Sequence, residues 1–435
     1  MSMPSGFATR GRWYHGWTVV FATVVSQIAG CGLGLNSMSL FLHDLAGDLH
    51  CPVSNILLAI SMFGTATAIF SPIMGVIADR YPARWLFALG LIGVSIFEIA
   101  MSAVTAIWQI WVLFGTLFPI SLTMCTVLAS NALVSRWFVR RTGLALGLSG
   151  IGIGISGVIL PPLIAVAMPV VGWREVWRAA GILTALVVLP FVVWIVRERS
   201  AERDGLRYMD GTATSPHHGQ GGRGDGSVRW RDILTSRTFW LLVFCFISIV
   251  SLSFGIQQNF APIVISRGMT VKTAGFLLGL FSLMHVIATP ILGFASDRFG
   301  SRLPFVIVGT AAMIGGVLVG YGNSLLVLVA GAAFVGFSGS LWALAAATIL
   351  GEFGAGGVGR AFGALMLGLP ISSLVAASIA KAQESTGSYG PPLLALSLLC
   401  LFSGTCTLFM RERRAGHRTT AGNAAVLKET ANLRP

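Results

Sequence analysis

Residues 75–84 read GVIADRYPAR, and residues 293–302 read GFASDRFGSR. One glycine, one aspartate and two arginines recur at the same spacing, and each stretch lies between two long apolar runs. The matching positions are Gly75, Asp79, Arg80 and Arg84 in the first stretch and Gly293, Asp297, Arg298 and Arg302 in the second. The recurrence indicates that the chain contains two copies of one larger unit.

The composition indicates that lipid is the solvent for most of the chain. Hydrophobic residues make up 55% of the 435 positions and charged residues only 10%, whereas soluble domains carry about 25% charged residues. Apolar stretches of about 20 residues recur, and each is long enough to cross roughly 30 Å of hydrocarbon. The 53 glycines fit this solvent, because small residues let helices approach closely in lipid.

Twelve apolar spans can be drawn, and they are numbered here in chain order. The first half holds 17–42, 54–78, 85–104, 107–134, 142–168 and 179–196. The second half holds 239–264, 273–295, 303–321, 324–349, 357–381 and 391–410. The predicted fold is an all-α membrane protein with twelve transmembrane helices in two six-helix, pseudo-symmetric halves, residues 1–196 and 238–410. A cytoplasmic linker, 197–237, joins the halves, and a cytoplasmic tail, 411–435, follows them.

The basic residues orient these spans. The formal net charge is +13, but Lys and Arg lie in short clusters between apolar runs, as in cytoplasmic loops, and not on a nucleic-acid-binding surface. If the N-terminus is in the cytoplasm, all but five of the 29 basic residues lie on the cytoplasmic side of the membrane. The exceptions are Arg174, Arg178, Arg267, Lys272 and Lys381. We therefore expect a multi-pass protein of the inner (cytoplasmic) membrane, with both termini cytoplasmic and no nucleic-acid partner.

The duplicated loop resembles the signature of the major facilitator superfamily. In that resemblance the glycine permits close helix approach, and the aspartate caps the next helix and attracts an arginine across the two halves. The attraction between aspartate and arginine in such a gating motif would stabilise one transport state and would be broken in the other. The plain alternative is a solvated, positively charged cytoplasmic loop, which two occurrences at matching places make a weaker explanation.

A second resemblance is narrower. Residues 137–150, WFVRRTGLALGLSG, resemble the fifth-helix signature of the monocarboxylate transporter family, and YHGW at 14–17 and GWR at 172–174 add weaker similarity. The resemblance implies proton-coupled or exchange transport of small organic anions, as in the oxalate–formate antiporter branch. The chain departs from the pattern, because the family's arginine in span 8 falls on Thr289, its acidic partner on His285 and its span 1 lysine on Asn36.

His285 is the candidate proton and substrate site. It lies about 12 residues into span 8, near mid-membrane at 1.5 Å per residue, where ionisable groups are costly and usually face a cavity. Histidine exchanges a proton near neutral pH and attracts an anion when charged. Thr289, one helical turn on, shares its face. The alternative is a neutral histidine that is hydrogen-bonded to a neighbouring helix.

Other polar or aromatic residues fall on helices that line the cavity in the resembled superfamily. The substrate-binding candidates are Gln27, Asn36, Gln257, Asn259 and Trp342, with Gln258 and Asn131 beside them. Amides can bond an oxygen-rich substrate in either orientation, although each is also a plausible packing contact. Glu98 is expected to reach the membrane surface from span 3, and Pro161-Pro162 is expected to kink or unwind span 5.

These patterns predict a secondary active transporter, acting as a monomer, for a small organic solute, most simply an organic monocarboxylate. It would bind the solute between its halves and couple transport to protons (symport) or to exchange. No ATP-binding or hydrolase motif occurs and the six scattered cysteines form no CxxC pair, so we expect no enzyme activity, cofactor, metal site or disulfide. Two alternatives remain open: a proton-driven efflux pump for lipophilic compounds and a transporter-like membrane sensor.

Overall fold

The fold is helical and suited to a membrane throughout its described part. The computed structural model describes residues 15–126, 130, 133–134, 142–196, 230–300, 302–353 and 358–410. All regular secondary structure in these ranges is helical, and eleven of the helices are long and apolar enough to cross a membrane. This confirms the predicted all-α membrane fold and is consistent with twelve spans.

The first six spans begin and end close to their predicted limits. Span 1 continues without a break through His15–Cys31, a π-helical turn Gly32–Ser37, and Met38–Asp48. Span 2 is Val53–Arg80, span 3 is Ala83–Ser102 and span 5 is Thr142–Val171. Span 4 comprises Ile107–Val112, a π turn Leu113–Leu117 and Phe118–Cys125; span 6 comprises Trp173–Leu183, a π turn Thr184–Val188 and Leu189–Ile195.

The second half contains two spans that are broken. After a short helix, Trp230–Leu234, span 7 is Arg237–Ile265, span 8 is Val271–Phe299 and span 9 is Arg302–Tyr321. Span 10 consists of Leu325–Ser338 and Leu341–Phe353, and span 11 of Val358–Met366 and Leu369–Thr386. Span 12 is Gly390–Cys406, followed by a 3₁₀ turn Thr407–Phe409.

The break in span 10 explains why eleven and not twelve long helices are seen. The helix stops at Gly339 and Ser340, where the Ser340 hydroxyl donates to the Phe337 carbonyl at 2.8 Å. Glycine disfavours helix, and serine hydroxyls compete for backbone acceptors. Span 4 leaves helical geometry at Thr126, with φ −115° and ψ −132°, and the described residues Ser130, Leu133 and Val134 are again helical. Spans 4 and 10 occupy corresponding places in the two proposed halves.

The predicted unwinding of span 5 at Pro161-Pro162 is wrong, since the helix continues through both prolines. Packing against span 8 accounts for this. An added Cβ on Gly275 would lie 2.7 Å from the Pro161 carbonyl oxygen, and one on Gly279 would lie 2.9 Å from Pro162 Cγ. Bare glycine backbone therefore covers the proline pair, and neighbouring helices make prolines tolerable in membrane spans.

The described residues form two compact units. The first contains the described part of spans 1–6 together with Phe254–Val286 and Ser373–Tyr389, and the second contains the remaining described residues of the chain. In the first unit an aromatic group, Phe97, Phe114, Phe118 and Trp177, packs spans 3, 4 and 6 together. The proposed domain boundaries at 196, 237 and 410 stay a prediction.

Candidate functional site

The π turn of span 1, Gly32–Ser37, positions the central candidate residue. A π turn adds one residue to a helical turn and is often found at functional sites. Asn36 lies in it and is only 9% exposed. Its Nδ2 donates to the Ile153 carbonyl at 3.0 Å and to Ser156 Oγ at 2.6 Å. The amide is therefore fixed against span 5.

The same turn is joined to span 7, within the first compact unit. Three hydrogen bonds run from Gln257 Nε2 to Asn36 Oδ1 (3.2 Å), from Gln258 Nε2 to the Leu35 carbonyl (3.0 Å) and from the Ala261 N–H to Ser39 Oγ (2.8 Å). We call these three bonds the span 1–span 7 seam. The seam brings together two predicted site residues, Asn36 and Gln257, and leaves Gln257 half-buried.

Two other predicted amides lie in fully packed surroundings. Asn259 donates from Nδ2 to the carbonyls of Gly255 and Ala376, both at 2.9 Å, and so ties span 7 to span 11. Gln27 donates from Nε2 to Ser130 Oγ at 3.2 Å. Both side chains are nearly inaccessible, with 0% and 1% exposed. In this conformation their contacts are packing contacts.

Buried amide oxygens in spans 1 and 7 lack partners among the described residues. They are Gln27 Oε1, Gln258 Oε1 and Asn259 Oδ1. A buried polar atom without a partner costs about 1–3 kcal/mol. These oxygens are acceptors that water, or a donor-bearing solute, would satisfy after a small rearrangement.

The structure places the remaining candidates on separate elements. His285 and Thr289 lie one turn apart on span 8 and are both half-buried. Trp342 follows the break in span 10 and packs edge-on against Phe246 of span 7, with ring centroids 5.0 Å apart. Asn131 lies outside the described residues.

The gating-motif positions are only partly described. Gly75, Asp79 and Arg80 lie in the last turns of span 2, and Asp297 lies in the last turn of span 8. The side chains of Asp79, Arg80 and Asp297 lie outside the described part. Arg84 and Arg298 are exposed, and Arg302 is half-buried at the start of span 9. An added Cβ on Gly293 would meet no described atom within 4 Å.

Described contacts from span 11 to the first half lie at the end of the first unit that is predicted to face outside. We call it the outer end. Glu384, after span 11, accepts from the Ser54 N–H at 2.9 Å and from the Ser54 hydroxyl at 2.7 Å. Ser61 Oγ donates to the Ser373 carbonyl at 3.1 Å. Burial, and secondly Glu384, raise the pKa of the Tyr389 hydroxyl to about 12.

Two further features were missed by the sequence reasoning. Asp48 accepts from Trp173 Nε1 at 3.0 Å and from Arg174 at 3.3 Å, while Arg174 also donates to the carbonyls of Ser102 and Val104. These bonds form a clamp between the outer ends of spans 1, 3 and 6. The second feature is Glu98, which is 3% exposed, so the expectation that it reaches the membrane surface is wrong.

Comparison with known proteins bears on the family and the fold of the chain. The sequence profile of the Major Facilitator Superfamily matches residues 23–270 and 244–434. The chain is 31% identical to riboflavin transporter RibJ of Trypanosoma brucei brucei over 47% of its length, and 24% identical to the MFS-type transporter YcxA of Bacillus subtilis over 66%. It is 25% identical to membrane sensor protein UhpC of Escherichia coli over 60%.

These matches are partial on the relatives' side. They cover 38%, 66% and 61% of RibJ, YcxA and UhpC, respectively. Among solved structures, a bacterial homolog of the human lysosomal transporter Spinster, inward-facing and unoccupied, aligns with a TM-score of 0.67 at 15% identity over 92% of this chain and 95% of the other. Nucleoside transporter NupG aligns with a TM-score of 0.66 at 13% identity, over 92% of this chain and 100% of NupG. At this identity the two structures bear on the fold alone.

Proposed function

This chain belongs to the Major Facilitator Superfamily, and we propose that it is a secondary active transporter of a small organic solute that works by alternating access. The observation that carries the proposal is the span 1–span 7 seam. It joins the π turn of span 1 and Ser39 just after that turn to span 7, in the other half of the chain, through three hydrogen bonds. Such bonds are weak enough to break and reform in a transport cycle.

For the solute we propose an organic carboxylate, coupled to protons or to exchange. The amide hydrogens of Asn36 and Gln257 are suitable donors to carboxylate oxygens, and His285 supplies a positive charge when protonated. The fifth-helix resemblance at 137–150 supports the same class. Thr289 and Trp342 remain candidates for further solute contacts.

The break in span 10 supports Trp342 as a candidate for solute contact, because interrupted helices often line transport sites. Trp342 lies directly after this break. An indole there offers an apolar wall and one donor.

A membrane sensor is the second candidate, because one relative, UhpC, is named a membrane sensor protein. A sensor would bind its solute without accumulating it. The efflux-pump alternative predicts transport in the opposite direction for lipophilic compounds.

Purified full-length protein in liposomes tests these alternatives. Uptake of labelled formate, oxalate and lactate would be compared with that of riboflavin and nitrate, with and without an imposed pH gradient. We expect accumulation of a carboxylate that is lost in Gln257→Ala and retained in Ser378→Ala, whose exposed hydroxyl bonds only within its own helix. Accumulation of riboflavin or nitrate alone would overturn the carboxylate class. Binding without accumulation would identify a sensor.

A further inference from the structure

Glu98 is a carboxyl group inside the membrane-embedded part of the protein that the proposed solute site does not use. It lies on span 3, four residues before the outer end of that helix, and is 3% exposed. Ile96 and Ile99 on the same helix are 52% and 41% exposed. The lipid-facing side of span 3 therefore contains these residues and not Glu98. Glu98 therefore points into the protein and not toward lipid.

The group that faces Glu98 is neutral. Thr184 Oγ1 donates to Glu98 Oε2 at 2.9 Å, and Thr184 is itself 3% exposed. One turn away, Ser95 Oγ donates to the Gly181 carbonyl at 2.8 Å, and an added Cβ on Gly181 would lie 3.0 Å from the Ile99 nitrogen. Spans 3 and 6 thus pack closely enough to exclude bulk water from the carboxyl group.

The described charged groups near this part of the fold are paired with other residues. Arg178 donates to Glu175 at 2.6 Å, and Arg174 bonds to Asp48 and to backbone carbonyls. Other titratable groups on the helices packed against span 3 are the buried thiols of Cys31 and Cys125, which carry no positive charge. None of these described groups supplies a positive partner to Glu98.

An ionised carboxylate in such surroundings is unstable. Removing a charge from water without a counter-ion costs several kcal/mol even after relaxation, and the group takes up a proton instead. One threonine hydroxyl satisfies part of the hydrogen-bonding capacity of the carboxyl group, and a proton on the other oxygen removes the charge. In this conformation Glu98 is therefore a carboxylic acid.

The partner of Glu98 is also placed where the helix can change. Thr184 is the first residue of the π turn Thr184–Val188 in span 6. Conversion of a π turn to regular α-helix removes one residue from the turn and rotates the residues that follow or precede it. Such a change would alter both the hydrogen bond and the access of water to Glu98.

We propose that Glu98 is a proton-binding site of this protein, which takes up a proton from water at the outer end to form the neutral acid and releases it when span 6 rearranges. The reaction is the association of one proton with one carboxylate, with no other reactant. The proposal rests on the proposed transport function only for its use in coupling. Proton binding itself is measurable without any solute.

Infrared spectroscopy of the full-length protein in lipid tests the proposal. At neutral pH we expect a carbonyl stretch of a protonated carboxyl group that is absent in Glu98→Gln and retained in Glu175→Gln, a matched variant at an exposed carboxylate. On raising the pH the band should disappear while the helical signal is unchanged. A band unaffected by Glu98→Gln, or one that persists until the helices unfold, would overturn the proposal.

A second measurement links the site to transport. In liposomes with a labelled carboxylate, Glu98→Gln should abolish accumulation driven by a pH gradient and keep solute exchange without a gradient. If Glu98→Gln loses both activities equally while the unmodified protein shows the pH-dependent carboxyl band, the transport proposal fails and the proton-binding proposal stands. Gradient-driven accumulation at the unmodified rate would contradict the coupling role of Glu98.

Discussion

The carboxylate of Glu384 caps the amino-terminal end of span 2 by accepting from both the backbone N–H and the hydroxyl of Ser54, at 2.9 and 2.7 Å. The two residues lie 330 positions apart in the chain. A carboxylate at this end of a helix satisfies an unpaired N–H group and interacts favourably with the helix dipole. The bond therefore holds the outer end of span 11 to span 2 in this conformation.

Weakening this cap by removing the Ser54 hydroxyl, which leaves only the bond from the Ser54 N–H to Glu384, should make the outer end open more often. Because a capping interaction contributes about 0.5–2 kcal/mol, Ser54→Ala should increase the labelling rate of Cys51 by a membrane-impermeant maleimide. Cys51 lies three residues before Ser54, is half-buried and serves as a native reporter. A Cys51→Ser background gives the blank. An unchanged rate in Ser54→Ala would show that the cap does not control the outer end.

The pH dependence of this labelling should identify Glu384 directly. Burial, and secondly the Glu384 charge, raise the pKa of the Cys51 thiol above its ordinary value. Glu384→Gln removes the second cause, so the thiolate should form at lower pH and the rate-against-pH curve should move toward lower pH. Ser54→Ala keeps the charge of Glu384. In that variant the labelling rate should rise at every pH, and the curve should not move along the pH axis. Identical curves for Glu384→Gln and the unmodified protein would exclude the interaction.

Much of the fold could be predicted from the sequence, because hydrophobic length alone defines a membrane span. The limits of the described spans lie within about six residues of the predicted ones, apart from the breaks in spans 10 and 11. Gly339 and Ser340 disfavour helix locally. The strongly apolar residues on both sides nevertheless favour one continuous span, 324–349. The continuity of span 5 through Pro161-Pro162 depends on Gly275 and Gly279, which are distant in sequence.

The candidate site was less predictable. Asn36 and Gln257 were identified singly as polar residues in apolar spans, but their hydrogen bond links positions 221 residues apart. Glu384 looks in sequence like a solvated charge after the end of a span. Glu98 was expected at the surface because its helix position is near the outer end, and only packing with Thr184 shows its burial.

Breaking the span 1–span 7 seam should destabilise the protein and impair transport. In Asn36→Ala, Gln257 loses its hydrogen-bond acceptor, and Ser156 and the Ile153 carbonyl lose their donor. We expect the free energy of unfolding to fall by about 1–3 kcal/mol. Thermal unfolding in detergent measures the loss. Ser378→Ala is the control and should leave the midpoint unchanged. Unchanged stability and unchanged uptake in Asn36→Ala would show that the span 1–span 7 seam contributes to neither.

Close packing of spans 5 and 8 should make Gly275 intolerant of a side chain. Its added Cβ would approach the Pro161 carbonyl oxygen to 2.7 Å, and overpacking costs about 1–3 kcal/mol. Gly275→Ala should therefore lower the unfolding midpoint. Gly150→Ala, on span 5 with no described atom within 4 Å of its Cβ, should be neutral or slightly stabilising. Equal midpoints in the two variants would contradict this packing.

The Arg174 clamp should contribute stability through geometry as well as charge. Arg174 is 36% and Asp48 47% exposed at the side chain, so their ion pair alone contributes about 0–1 kcal/mol. The bonds to the carbonyls that end span 3 require the guanidinium fork. Arg174→Lys should thus lower the unfolding midpoint more than Asp48→Asn does. The reverse order would show that the charge pair dominates.

Transport by alternating access requires the contacts at the outer end, between span 2 and span 11, to break during each cycle. Ser61 and Ser373 exchange hydroxyl-to-carbonyl bonds at 3.1 and 3.5 Å, which places their backbones close together. The double variant Ser61→Cys, Ser373→Cys should form a disulfide on oxidation. We expect carboxylate uptake by the oxidised double variant in liposomes to fall to background and to return on reduction, while oxidant leaves uptake by each single variant unchanged. Uptake at the full rate with the disulfide formed would contradict this requirement.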